Sequence, residues 1–296
     1  MKRAAYKVDV QILSRLPMHD YRDLASWLNL HFKMLPSMTP TRWNMIEPIN
    51  RPFGEDTDWE EEMRLLFDPT LWPSFYWRRH KKTQSRGSFS RAIDNRTGQL
   101  LPTHSNESIT SILSQTNMDE LISYVKTSSV QFKADIAFID VWNKNYYETV
   151  IKEIRVFQAS EFFEDIYLTT HDLRHWLDDI YWGTVFGDAY VRLFGMDKIL
   201  SAPVYKVEQL SDDTVYLQLT ENITDSYEKF EEFQKIRQAV KNHLDPMAFY
   251  QKDKAYYPWG QGVFPDHELA KKTAGSVFHV PKFHLLSDSV LDWSKI

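Results

Sequence analysis

Two histidines four residues apart, in His171-Asp-Leu-Arg-His175, come nearest in this chain to a spacing that does chemistry. On a helix they share one face, the arrangement by which H-E-x-x-H segments hold zinc. The general-base position is filled by Asp172, one methylene shorter than Glu, and Asp178 and Asp179 follow as third-ligand candidates. The same residues have a plainer reading, because Thr170 or Asp172 stands where a helix cap belongs. No third ligand at matching spacing occurs elsewhere, so a metal-dependent hydrolase built on His171 and His175 is kept as the alternative. His267, His279 and His284 gather among C-terminal prolines and read as loop histidines. A serine–histidine–acid triad is assembled in space, but no G-x-S-x-G elbow supports one, and neither a G-x-G-x-x-G nor a Walker loop is present. The expectation is a protein without catalytic residues, resident metal or cofactor.

Charge offers a second kind of site. Glu55, Asp56, Asp58, Glu60, Glu61 and Glu62 crowd the stretch from Gly54 to Glu62. Acidic residues suit the first turn of a helix running on through Met63, Leu65 and Leu66, or they form a patch for a basic partner. The opposite charge follows in Trp77-Arg-Arg-His-Lys-Lys82, with Arg86 and Arg91, beside Trp72, Phe75 and Tyr76. Basic residues interleaved with aromatics can bind single-stranded nucleic acid. This run is short, however, and the chain as a whole has 41 Asp+Glu against 35 Lys+Arg, so no nucleic-acid partner is expected.

Composition narrows the class further. The chain has 296 residues, 43% hydrophobic, enough to bury a sizeable core. It has no cysteine, which excludes disulfides, cysteine-ligated zinc and a thiol nucleophile. The start, Met1-Lys-Arg-Ala-Ala-Tyr6, leads into Lys7, Asp9 and Gln11 rather than an apolar core, so a signal peptide is not expected. No apolar run approaches the roughly 18 residues of a membrane span. The expectation is a cytoplasmic protein with no membrane partner. Aromatics make up 15% of residues, with 10 Trp, and supply either bulky core packing or anchors on a binding face.

The elements that must position these residues follow from periodicity. Tyr6, Val8, Val10 and Ile12 alternate with polar residues, the pattern of a half-buried strand. Asp20 reads as the cap of a helix bearing Leu24, Trp27, Leu28 and His31 or Leu35, stopped by Pro36. A strand is expected over Arg42 to Ile49. Thr97 to Asn117, rich in Ser, Thr and Asn, reads as a long loop or a seam, and a short helix is expected from Met118 to Lys126. Strands are expected at Phe132 to Phe138, about Val150 to Phe157, Val204 to Gln209, Thr214 to Thr220, and at Ser276 to Val280. Tyr181 to Gly195 reads as a helix broken at Gly183 and a second closed by Gly195. Asp225 with Glu228 has capping-box spacing, before an apolar stripe of Tyr227, Phe230, Phe233, Ile236, Val240 and Leu244 that ends at Pro246. The class is α+β, with antiparallel or mixed sheets covered by amphipathic helices. Its two halves, 1–125 and 126–296, share a coarse element order, though one continuous domain fits as well.

Trp182-Gly183, Phe186-Gly187, Leu193-Phe-Gly195 and Leu200-Ser-Ala-Pro203, with the following strand and the Arg237-bearing helix, resemble the immunity protein 52 family over residues 181–244. Trp43, Glu47-Pro-Ile-Asn50 and Trp72-Pro-Ser-Phe-Tyr-Trp-Arg78 add to the likeness. The resemblance implies a bacterial polymorphic-toxin immunity protein, which binds a cognate protein toxin stoichiometrically and blocks it without catalysis. It supplies no catalytic residues. It leaves Trp182, Gly183, Gly187, Gly195 and Pro203 as scaffold, and Glu55, Asp56, Asp58, Glu60, Glu61 and Glu62 as the contact expected for a basic toxin.

Overall fold

The computed structural model describes residues 6–19, 21–54, 58–65, 74–94, 96–101, 103–146, 148, 165–173 and 177–250. The strands expected at Val150 to Phe157 and Ser276 to Val280, and the histidines at 267, 279 and 284, lie outside them.

Among the described residues ten strands form one sheet: β1 (Lys7–Ser14), β2 (Arg42–Asn44), β3 (Arg51–Pro52), β4 (Ser74–Arg79), β5 (Ser85–Ser90), β6 (Ser105–Ile112), β7 (Ala134–Trp142), β8 (Gly183–Phe186), β9 (Lys206–Ser211) and β10 (Thr214–Gln218). Their order is β3-β2-β4-β5-β6-β1-β7-β8-β10-β9. Every pairing between them is antiparallel. The helices are α1 (Tyr21–Met34), α2 (Trp59–Leu65), α3 (Met118–Gln131), α4 (Lys144–Tyr146), α5 (Thr170–Leu173), α6 (Asp188–Phe194), α7 (Met196–Leu200), α8 (Asp225–Glu228) and α9 (Phe230–Leu244). The fold is α+β. The sheet crosses the 125/126 boundary without a break, because β1 bonds β6 on one side and β7 on the other.

Alternation along the strands separates two faces. On the first lie Trp43, Trp77, Phe89, Ile109, Val10 and Ile12, covered by α1 and α3; α1 buries Leu24, Trp27, Leu28 and His31, the stripe its period predicts. Asn117 caps α3 by accepting from the Glu120 N–H at 3.4 Å, and the helix runs past Lys126 to Gln131. On the second face, α6 and α9 cover only the β7-β8-β10 half: Tyr190 packs on Phe186 at 5.5 Å, and Arg237 reaches Asp140.

Five expectations change. First, β1 is buried on both faces, Asp9 and Gln11 included. Residues 165–168 lie across it, where the Ile166 N–H donates to Asp9 at 2.9 Å and the Gln11 amide exchanges bonds with the Leu168 backbone at 2.6 and 2.9 Å. Second, the expected loop from Thr97 contains β6, whose inward residues Ser105, Glu107, Ile109 and Ser111 are all buried. Its polar composition hides a strand because the buried polar groups find partners. Third, Gly183 opens a strand instead of breaking a helix. Thr184 and Val185 suit a pleated interior, and a Cβ on Gly183 would meet the Tyr216 hydroxyl at 3.0 Å. Fourth, the helix after Asp225 comes in two pieces. Thr224 occupies the cap position, while Asp225 pairs with Lys229 at 3.0 Å instead of capping. Fifth, the strand expected from Arg42 is short and ends at Asn44.

Candidate functional site

The acidic run begins a helix. Asp58 accepts from the Glu61 N–H at 3.1 Å and so caps α2. Glu61 pairs with Arg64 along the helix, and Glu62 lies 3.5 Å from Arg51. Glu55 and Asp56 lie outside the described residues, as does the Glu60 side chain. Two of the three described carboxylates therefore already face a cation.

His175 and the side chain of His171 also fall outside the described residues; α5 itself runs Thr170–Leu173. Among the described residues no three His, Cys, Asp or Glu side chains are grouped so as to hold a metal. Asp178 and Asp179 are buried. Asp179 is engaged by Lys241 at 2.8 Å, Arg237 at 3.4 Å and the Tyr146 hydroxyl at 3.3 Å.

The aromatic–glycine block is buried at Trp182, Gly183 and Gly187 and exposed at Gly195 and Pro203. Trp182 is buried and donates through its indole to the Thr220 carbonyl at 3.1 Å. Gly187 is required by close approach, since a Cβ there would sit 1.8 Å from the Ala134 carbonyl oxygen. Gly195 ends α6 with φ 86°, and its ψ of 135° sends the chain directly into α7 rather than round a left-handed helical turn. Pro203 is exposed in the turn before β9.

Sequence reasoning missed three buried polar centres, because each joins residues far apart in the chain. Glu107 on β6 is wholly buried and accepts from the Trp27 indole at 2.8 Å, the His31 ring at 2.6 Å and the Tyr124 hydroxyl. Burial and the Glu107 carboxylate together push the Tyr124 hydroxyl well above its usual range. Arg237, 2% exposed, pairs with Asp140 and Asp179 and lies over the Tyr146 and Phe233 rings at 4.2 and 4.7 Å. Burial opposes ionisation of Asp179, but Lys241 and Arg237 outweigh it and hold the carboxyl below its usual value. In the third centre His104 bridges Asp135 at 3.1 Å and the Thr170 hydroxyl at 2.8 Å. That hydroxyl also accepts from the His104 backbone N–H at 2.9 Å, so the chain of bonds ties residues 165–170 to β6 and β7. Beside it Ser90, Arg91 and Asn106 help line a cleft of about 260 Å³, where burial pushes Arg91 down to about 10.

A candidate binding surface is the second face of β2-β4-β5-β6. Arg42, Asn44, Ser74, Tyr76, Arg78, Arg86, Ser88, Ser90, Asn106, Ser108 and Thr110 point to this side. Most are half-buried or exposed, while their strand neighbours on the first face form the core. Ser74 bonds Ser90 at 3.0 Å and Ser88 bonds Ser108 at 2.9 Å, hydroxyl pairs lying flat across the strands. Only the composition of Trp72 to Arg91, basic and aromatic together, hints at this in the sequence.

No protein-family model matches the chain, and no curated protein matches it. Among solved structures it is similar to the Pseudomonas aeruginosa T6SS protein PA0821, with a TM-score of 0.48 and 11% identity over 81% of this chain and 72% of that one. A likeness this loose says nothing about activity. Among the described residues no helix is long and apolar enough to cross a membrane.

Proposed function

We propose that this chain is a non-catalytic binding protein that neutralises a cognate bacterial toxin effector by occluding it stoichiometrically. The resemblance of residues 181–244 to the immunity protein 52 family motivates the reading. The observation that carries it is the second face of β2-β4-β5-β6, a polar sheet face over which no described helix packs. The buried carboxylates Glu107, Asp140 and Asp179 are committed to internal partners, as a scaffold that holds a surface rigid requires.

Size sets a condition on that surface. Four strands about 4.8 Å apart and some six residues long make a patch of roughly 20 by 20 Å. That flat area of about 400 Å² is half of what one partner gives to a stable interface. The flanking segments must therefore join it: the loop bearing Ile46, which is 67% exposed, and the β4–β5 turn at His80 to Lys82.

The test is capture of the partner from the source cell with tagged protein, followed by expression of that partner alone and with this chain. A one-to-one partner that kills cells alone and is harmless with this chain supports the reading. A captured partner without toxicity overturns it.

A further inference from the structure

On the second face, register places Arg42 directly opposite Arg78, and Arg78 directly opposite Arg86. Like charges directly opposed across an antiparallel pair are destabilising. Local compensation is uneven, and Arg42 has none from a carboxylate among the described residues. Glu47 stands 3.5 Å from Arg78 but is 66% exposed, Asp165 meets Arg86, and Arg42 donates only to the Asn50 carbonyl at 3.0 Å among the described residues. The strand residues of this face include no carboxylate at all. Exposed His80, Lys81 and Lys82 prolong the positive character into the β4–β5 turn. This is a positive island on a chain of formal charge -6.

We infer that this face docks an acidic protein surface, with Arg42, Arg78 and Arg86 as its charged row and Tyr76 as an anchor within it. The inference rests on the binding reading above and names the chemistry of the partner. An acidic partner relieves the opposed arginines, gives each guanidinium a planar carboxylate to clasp, and is drawn to this island by its positive potential while the net negative charge elsewhere repels it from other faces. It places the contact here rather than on the acidic run, where no like charges are shown directly opposed in register among the described residues and Asp58 is spent as a cap. Tyr76 stands in register with Asn44 and Ser88, in the middle of the patch, where aromatic anchors of an interface are found.

The experiment compares the full chain with Arg42→Glu/Arg78→Glu/Arg86→Glu, and with the milder Arg42→Gln/Arg78→Gln/Arg86→Gln in case charge reversal unfolds the sheet. The first probe is a fluorescent 20-residue polyglutamate peptide at low salt, followed by anisotropy. Binding that falls at least tenfold in the variants is expected; no binding, or binding indifferent to the variants, overturns the inference whatever the toxicity test returns. A single-stranded dT20 oligonucleotide bound tighter than polyglutamate and lost in the same variants would reassign the face to nucleic acid and overturn it too. With the toxic partner in hand, association should slow at least tenfold in the arginine variants and stay unchanged in Asp58→Lys/Glu61→Lys/Glu62→Lys. The reverse pattern would sink the inference while leaving toxin neutralisation standing.

Discussion

The two ends of the sheet are built on the same strand pattern and differ in what lies on their second face. Over β7, β8 and β10 that face is covered by α6 and α9, and the strands are buried on both sides. Over β6, β5 and β4 it is uncovered by any described helix, and buried inward residues alternate with mostly half-buried outward ones. The difference is paid for in ion pairs. Covering the first end encloses Asp140 and Asp179, which Arg237 and Lys241 must neutralise, whereas the second end keeps Arg42, Arg78 and Arg86 partly open to water, Arg42 without a carboxylate among the described residues. One end is a clamp and the other a platform.

The largest effect should come from breaking the clamp. Arg237→Met leaves Asp140 buried without its cation and should cost about 3–5 kcal/mol in urea unfolding. A loss under about 1 kcal/mol would mean that the covered end is held by apolar packing alone.

On the covered side of the platform, Glu107→Gln turns an amide toward donors that need an acceptor. It should cost about 2–3 kcal/mol and alter the fluorescence of Trp27, which bonds that carboxylate. If stability and emission stay the same, Glu107 is not the hub that the geometry draws.

At the junction of the two ends, burial and the neighbouring Asp165 push Asp9 up to about 8. The folded state then binds the proton more tightly than the unfolded chain, so this contribution is full below about pH 4 and erodes as pH rises toward 8. Asp9→Asn should keep the bond from Ile166, flatten that decline and stabilise the protein by about 3–4 kcal/mol at pH 8 relative to pH 5. Parallel pH–stability curves for the two proteins would contradict this.

The smallest effect on stability belongs to the platform itself. Arg42→Gln, exposed and with no carboxylate partner among the described residues, should change stability by less than about 0.5 kcal/mol. A larger loss would show that the arginine row serves the fold.

Much of the framework was legible in the residues. The 3.6-residue stripe of Leu24, Trp27, Leu28 and His31 located α1, period-two alternation located β1 and β7, and Gly195 marked the end of α6. Misreadings cluster where polar residues are buried. Ser105 to Ile112 has the composition of a loop, and only the partners of Glu107 make it a strand. Asp9 and Gln11 read as solvent-facing because nothing local shows residues 165–168 lying over them. Arg237 sits on an apolar stripe as an apparent exception, explained only by carboxylates 58 and 97 positions away, Asp179 and Asp140.

By itself the sequence determined the elements with a clean apolar period, α1, β1, β7 and α9, because periodicity, caps and glycines act within a few residues. The tertiary structure alone decided the strand order and the register. Those two choices bring Arg42, Arg78 and Arg86 into one row and leave that row uncovered by the described helices. Strand periodicity says which residues share a face of their own strand, but not which strand lies beside it or what packs above, since those depend on contacts whose partners are remote in the chain.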